Sequence, residues 1–149
     1  VYTARFDWTD DPKAGATQAL LDMGELHDIV SVKLNGVDLG VLWHQPWRMD
    51  LSRAVKPGEN KLEISVTNNW SNRLVGDARA PADFEWGADR GKLGRAMKAF
   101  PDWFLEGRPR PSEGRKGFLL WHYHRPDSPL QPAGLIGPVR LLRRQLLAL

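Results

Sequence analysis

Ile29-Val30-Ser31-Val32-Lys33-Leu34-Asn35-Gly36-Val37-Asp38-Leu39-Gly40-Val41-Leu42-Trp43 decides the fold. Val30, Val32 and Leu34 recur every second residue, the period of a strand with one buried face. Asn35-Gly36 then interrupts the run. Both residues tolerate the positive φ that a two-residue type I′ turn demands, so the stretch reads as a β-hairpin with Val37–Trp43 as its return strand.

The same pattern extends in both directions. Upstream, Val1–Trp8 alternates and is followed by turn chemistry over Thr9–Gly15. Thr17–Met23 is a second strand, closed by Gly24. Downstream, Trp47–Leu51 alternates again, Lys56-Pro57-Gly58-Glu59-Asn60 is a tight turn, and Leu62–Thr67 is a period-2 strand with Leu62, Ile64 and Val66 inward. Gly117–Tyr123 and Gly137–Arg143 read as two closing strands, with a Pro/Gly-rich turn over Pro129–Gly134 between them. Many short strands at near-regular spacing predict an all-β sandwich or barrel. Residues 77–117 lack the alternation and form a long irregular insertion, with room for one short helix over Lys92–Phe104 that Pro101 breaks or kinks. The organisation expected is one sandwich domain over 1–144, carrying that insertion, and a tail over 145–149.

The whole-chain numbers exclude several classes. The 149 residues fit one domain with an ample core. No apolar run approaches the ~20 residues that span a bilayer, so no membrane partner is expected. Absence of cysteine excludes disulfides and thiolate chemistry. The net charge of +3 is uneven: residues 1–75 carry 8 Lys/Arg against 10 Asp/Glu, and the rest carry 13 against 8. The basic residues are scattered among prolines and glycines, which describes a solvated surface better than a nucleic-acid interface. No nucleophile elbow, phosphate loop or dinucleotide fingerprint occurs. The chain opens on Val1 without an initiator Met and is expected to be a piece of a longer protein.

Three blocks then carry a resemblance. Leu34–Gly40, Pro46–Leu51 and Lys56–Leu62 resemble the galactose-binding-like jelly-roll domain shared by the family 2 glycoside hydrolases. Val66-Thr67-Asn68-Asn69-Trp70-Ser71-Asn72-Arg73-Leu74-Val75-Gly76-Asp77 and Ser128–Leu141 are similar to blocks in glycoside hydrolase family 106, the α-L-rhamnosidases. The resemblance implies a galactose-binding-like jelly-roll β-sandwich at the C-terminal end of a bacterial hydrolase. In that family the catalytic carboxylates sit on a separate domain, so this chain is expected to be a non-catalytic accessory domain. Its implied partners are the parent enzyme's catalytic domain and a plant polysaccharide or glycoside. A secreted or periplasmic location follows if the parent degrades polysaccharides.

Seven tryptophans supply sugar-stacking surface, because the apolar face of a pyranose packs on an indole. Trp43, His44, Gln45 and Trp47, in the connection between two strands, form the best cluster; Trp47 reads better as inward-facing core, and Trp43 reads equally as packed beneath the loop. Trp70, Asn72 and Arg73 are further candidates, with a structural alternative in which they shape a turn and Arg73 pairs with Asp77. His122 and His124 share a strand face as a metal half-site without an obvious third ligand. Asp10-Asp11, or Asp83 with Glu85, offer carboxylates for a structural calcium, but no calcium-loop motif is present. No cofactor is expected. The competing functions are carbohydrate binding, buttressing of a catalytic domain, and a protein-interaction module without sugar binding.

Overall fold

A computed structural model describes residues 1–9, 17–117 and 121–145. The turn expected over Thr9–Gly15, the Asp10-Asp11 pair and most of the 145–149 tail lie outside the described residues. The described chain forms two compact units, one of residues 1–69 and 132–149, the other of residues 70–131.

Unit 1 holds nine strands: β1 (Tyr2–Trp8), β2 (Thr17–Asp22), β3 (Glu25–Leu26), β4 (Ile29–Leu34), β5 (Val37–Leu42), β6 (Arg48–Asp50), β7 (Gly58–Thr67), β8 (Leu135–Gly137) and β9 (Arg140–Gln145). They pair antiparallel in three sheets, ordered β1-β7-β4-β5, β6-β2-β9 and β3-β8. One apolar cluster draws on both larger sheets: Val30, Val32, Leu34, Leu62 and Ile64 from the first, Ala19, Leu21 and Met49 from the second. Alternation explains that membership, since Ser31 and Lys33 fall on the other face of β4. The fold is an all-β sandwich.

The Asn35-Gly36 turn forms as expected, with φ of 53° and 82°. Beyond it the hairpin departs from strict alternation. Val32 pairs with Gly40 but Lys33 pairs with Asp38, so Leu39 is an extra residue in β5. Gly40, at φ 112°, supplies the backbone turn that a bulge needs. The bulge reverses the phase of the strand. Leu39 is buried and Leu42 is packed against the core, while Val41 and Trp43 face outward.

The closing strand expected over Gly137–Arg143 is instead two. β8 pairs with β3 and β9 pairs with β2, and Pro138, which has no N–H for a ladder, stands between them.

Unit 2 contains α1 (Ser71–Arg79), a 3₁₀ turn (Gly91–Leu93) and α2 (Asp102–Leu105). The helix α1 occupies a block that reads as a turn in sequence. An Arg73–Asp77 ion pair at 2.6 Å spans i to i+4 along it. It ends at Ala80, extended at ψ 155° as the residue before Pro81 must be. The short helix expected within Lys92–Phe104, broken at Pro101, is α2, which begins just after that proline. Gly94 terminates the 3₁₀ turn at φ 69°, Ala96 and Met97 bridge to Trp121 and Trp86, and α2 starts only after Pro101. Of the strand expected over Gly117–Tyr123, residues 118–120 lie outside the described residues; Trp121 makes only its isolated bridge.

Candidate carbohydrate-binding site

Four of the sequence candidates lie together in unit 1. Trp43 leaves the bulged strand β5 with 73% of its surface exposed. Its ring meets His44 edge-on, with centroids 4.9 Å apart. The His44 Nδ1–H donates to the Gln45 carbonyl at 2.6 Å, which fixes the imidazole over the loop. The Gln45–Pro46 peptide is cis. The Gln45 side-chain amide is exposed and has no partner among the described residues.

Trp47 faces the other way. It is 8% exposed and belongs to the core cluster, as the alternation Trp47, Met49, Leu51 requires. Its indole Nε1–H is nevertheless buried without an acceptor among the described residues. Most buried donors are paired, and an orphan of this kind costs about 1–3 kcal/mol.

Gln45, Pro46, Trp47 and Arg48 form one side of an open groove of about 390 Å³; Asp22, Gly24 and Glu25 form the other. The backbone joins the two sides, because Met23 N–H donates to the Trp47 carbonyl at 3.0 Å. Arg48 and Asp22 are register partners between β6 and β2, and their side chains pair at 2.9 Å. Asp22 also accepts from Gly24 N–H at 3.0 Å. That backbone hydrogen bond, with the Arg48 guanidinium, holds the Asp22 carboxyl below the usual carboxylate range. The groove thus offers fixed charged groups beside an apolar floor, the composition that reads sugar hydroxyls and a pyranose face together.

Asp22, Glu25 and Arg48 are absent from the sequence candidates. Arg48 carries a weak signal, since it alternates with Trp47 and Met49 and so faces away from the core. Asp22 carries none until the β2–β6 register is known.

The other three candidates lie in unit 2. Trp70 is exposed and precedes α1. The Asn72 side chain donates to the Gln131 carbonyl and accepts from Gln131 N–H, both at 2.8 Å, so it joins the two ends of the unit. Arg73 donates to the Gly114 carbonyl at 2.5 Å besides pairing with Asp77. Asn72 and Arg73 thus spend their polar atoms within unit 2. His122 stacks on Trp86 and lines a pocket with His124. Asp83 is held by Arg110 and Glu85 by Lys98, so each carboxylate already has a cation. Among the described residues no group of three or more metal-ligating side chains stands together. Among the described residues no helix is long and apolar enough to cross a membrane.

Comparison with known proteins places this geometry in a lineage. A curated protein of Formosa agariphila, provisionally named beta-glucuronidase, is 45% identical over 121 residues, which are 81% of this chain and 10% of that protein. The structure of a rhamnosidase from Novosphingobium sp. PP1Y superposes with a TM-score of 0.66 at 33% identity, covering 96% of this chain and 10% of that one. The chain therefore spans about a tenth of the length of these relatives. The family model described as glycosyl hydrolase 2 galactose-binding domain-like matches residues 1–104. With that match over more than half its length, on an antiparallel sandwich, the chain belongs to the glycosyl hydrolase 2 galactose-binding domain-like family.

Proposed function

We propose that this chain is the non-catalytic accessory domain of a longer glycoside hydrolase of the α-L-rhamnosidase type, family 106, and that it holds carbohydrate at the Trp43–Trp47 connection and the groove beside it. The parent's substrates on this reading are rhamnose-containing plant polysaccharides or glycosides. The likeness to the Novosphingobium rhamnosidase over 96% of the chain supports the parent enzyme. The groove carries the binding role. It is lined by the unpartnered amide of Gln45 and by Trp47, whose buried indole N–H has no acceptor among the described residues, and the exposed indole of Trp43 lies two residues before Gln45 on the same connection.

A pyranose would lay its C–H face on Trp43, while Gln45, Asp22 and Arg48 meet its hydroxyls. A second reading, docking on the parent's catalytic domain, is supported in unit 2 by Phe100, Phe104 and Leu105, which are exposed with the two phenyl rings stacked at 5.4 Å.

Titration with L-rhamnose, D-galactose and rhamnogalacturonan oligosaccharides, followed by tryptophan fluorescence, separates the two. A saturable response that Trp43→Ala abolishes while the fold survives supports binding at the groove. Absence of response to every glycan removes the binding role and leaves docking.

A further inference from the structure

Unit 2 contains a buried cation with no ion-pair partner among the described residues. Arg115 is 9% exposed. Its guanidinium donates to the carbonyls of Pro81 at 2.7 Å and Ala80 at 2.9 Å, and lies over the Phe84 ring at 5.6 Å. Among the described residues no carboxylate is within ion-pairing distance of it. Buried charges are ordinarily paired, because carbonyl dipoles only partly replace the water that a guanidinium gives up.

Arg115 lines a pocket of about 280 Å³ together with Phe84, Trp86, His122 and Asp77. Asp77 is the acid of that lining, and its oxygens are already committed. They accept from Gly117 N–H at 2.5 Å and Lys116 N–H at 3.1 Å, and pair with Arg73 at 2.6 Å. The aromatic part of the wall is ordered: Trp86 stacks on His122 at 4.8 Å and 24°, and Phe84 meets Trp86 edge-on at 4.7 Å. His122 also borders a second depression, of about 250 Å³, that carries Arg95 and Arg125 with Asp89 and Asp127. Arg95 faces Asp89 at 3.6 Å, whereas Arg125 has no ion-pair partner among the described residues. Burial, followed by the charges of Arg95, Arg125 and Arg115, lowers the pKa of His122; Asp89 opposes them. The field at this ring is positive.

We propose that the Arg115 pocket is a second ligand site, one that takes the carboxylate of a uronic acid with the sugar ring against Phe84 and Trp86. The carboxylate supplies the missing counter-charge to Arg115, while Arg125, in the neighbouring depression that His122 also lines, adds positive charge beside the site without touching the ligand. A charge-assisted contact of this kind favours the acid over the neutral sugar by about tenfold or more. The choice of a sugar ring rests on the carbohydrate reading above; the demand for an anion rests on Arg115 and its neighbours alone.

The test uses the matched pair D-galacturonate and D-galactose, with acetate as the bare anion, and reads the His122 ring and Trp43 indole signals by NMR. The expected result is a saturable His122 shift with galacturonate, at least about tenfold tighter than with galactose or acetate, and a raised His122 pKa in the complex. Arg125→Gln removes one of the cations beside His122 and is expected to weaken the preference for galacturonate over galactose about two- to threefold, with Arg115 still in place. Arg115→Met removes the response altogether if it folds. Equal binding of galactose, an unmoved His122, or an Arg125→Gln protein with undiminished preference overturns the proposal. A tight response to acetate overturns the sugar part and leaves an anion site. Trp43 signals report the unit 1 groove separately, so a silent Trp43 with a responsive His122 removes only the first reading, and the converse removes only this one.

Discussion

The side-chain amide of Asn35 donates to Oδ1 of Asn60 at 2.8 Å, so the residue that begins the β4–β5 turn is tied to the residue that opens the inward face of β7. Asn60 is 1% exposed and every hydrogen-bonding position on its amide is filled. Its Oδ1 also accepts from Lys56 N–H at 2.9 Å, and its Nδ2 donates to the carbonyls of Lys56 at 2.7 Å and Gly58 at 2.8 Å. Asn35 in turn donates to Ala54 O and accepts from Lys61 N–H, both at 2.9 Å. Two turns that are separate signals in the sequence are one polar network in the fold.

Asn60→Ala strands a backbone N–H, one side-chain N–H of Asn35 and two carbonyls in a place with little water. The expected loss is about 2–4 kcal/mol in urea unfolding, from four orphaned groups at roughly one kcal/mol each or somewhat less. Asn60→Asp keeps the acceptor and loses both donations, setting a carboxylate against two carbonyls; it is expected to cost at least as much at neutral pH. A loss below about 0.5 kcal/mol for the alanine variant would mean that water replaces the amide.

Asp77 predicts how stability depends on pH. Burial alone pushes its carboxyl upward, but hydrogen bonds from Gly117 and Lys116 N–H, and then Arg73, outweigh that and leave the pKa below its ordinary value of 3.8. The folded protein therefore holds a proton there less readily than the unfolded chain. The stabilisation is complete above 3.8 and drains away as the pH falls below it toward the folded value. Asp77→Asn is expected to lower stability at neutral pH by about 1–3 kcal/mol, since a neutral amide accepts the two N–H groups more weakly and does not pair with Arg73. The gap between the two proteins is expected to narrow as urea midpoints are followed down to about pH 3. A gap that stays constant would show that the carboxylate charge contributes nothing.

How far these features can be read from the sequence depends on whether their cause is local. The Asn35-Gly36 turn and the inward Val30, Val32 and Leu34 are local, and they fold as read. The bulge at Leu39 is not, because the Gly40 backbone shows its purpose only against the partner strand. That one insertion decides whether Trp43 is core or surface, which is why alternation left the residue balanced between the two. The α1 block was hidden for a different reason. Its Asn and Ser residues favour turns by propensity, while the burial of Asp77 depends on hydrogen bonds from Lys116 and Gly117, some forty residues along the chain. The Asp22–Arg48 pair at the groove depends on strand register. In the long insertion the break at Pro101 is local and legible, and α2 starts directly after it, whereas the 3₁₀ turn closed by Gly94 carries no such signal.

Trp47 separates packing from recognition in a single position. Trp47→Ala removes a large buried ring and is expected to cost about 3–5 kcal/mol, whatever the groove binds. Trp47→Phe is the informative change. It keeps most of the aromatic volume and deletes the orphaned Nε1–H, relieving a buried donor worth about 1–3 kcal/mol while leaving a small void worth a comparable loss. The two effects nearly cancel, so its urea midpoint is expected close to that of the unchanged protein. If the indole N–H is completed by a sugar hydroxyl, the same variant binds glycan about three- to tenfold more weakly despite its intact fold, the loss of about one hydrogen bond. Unchanged affinity together with unchanged stability would assign the N–H to an ordered water and confine recognition to Trp43, Gln45 and the Asp22–Arg48 pair.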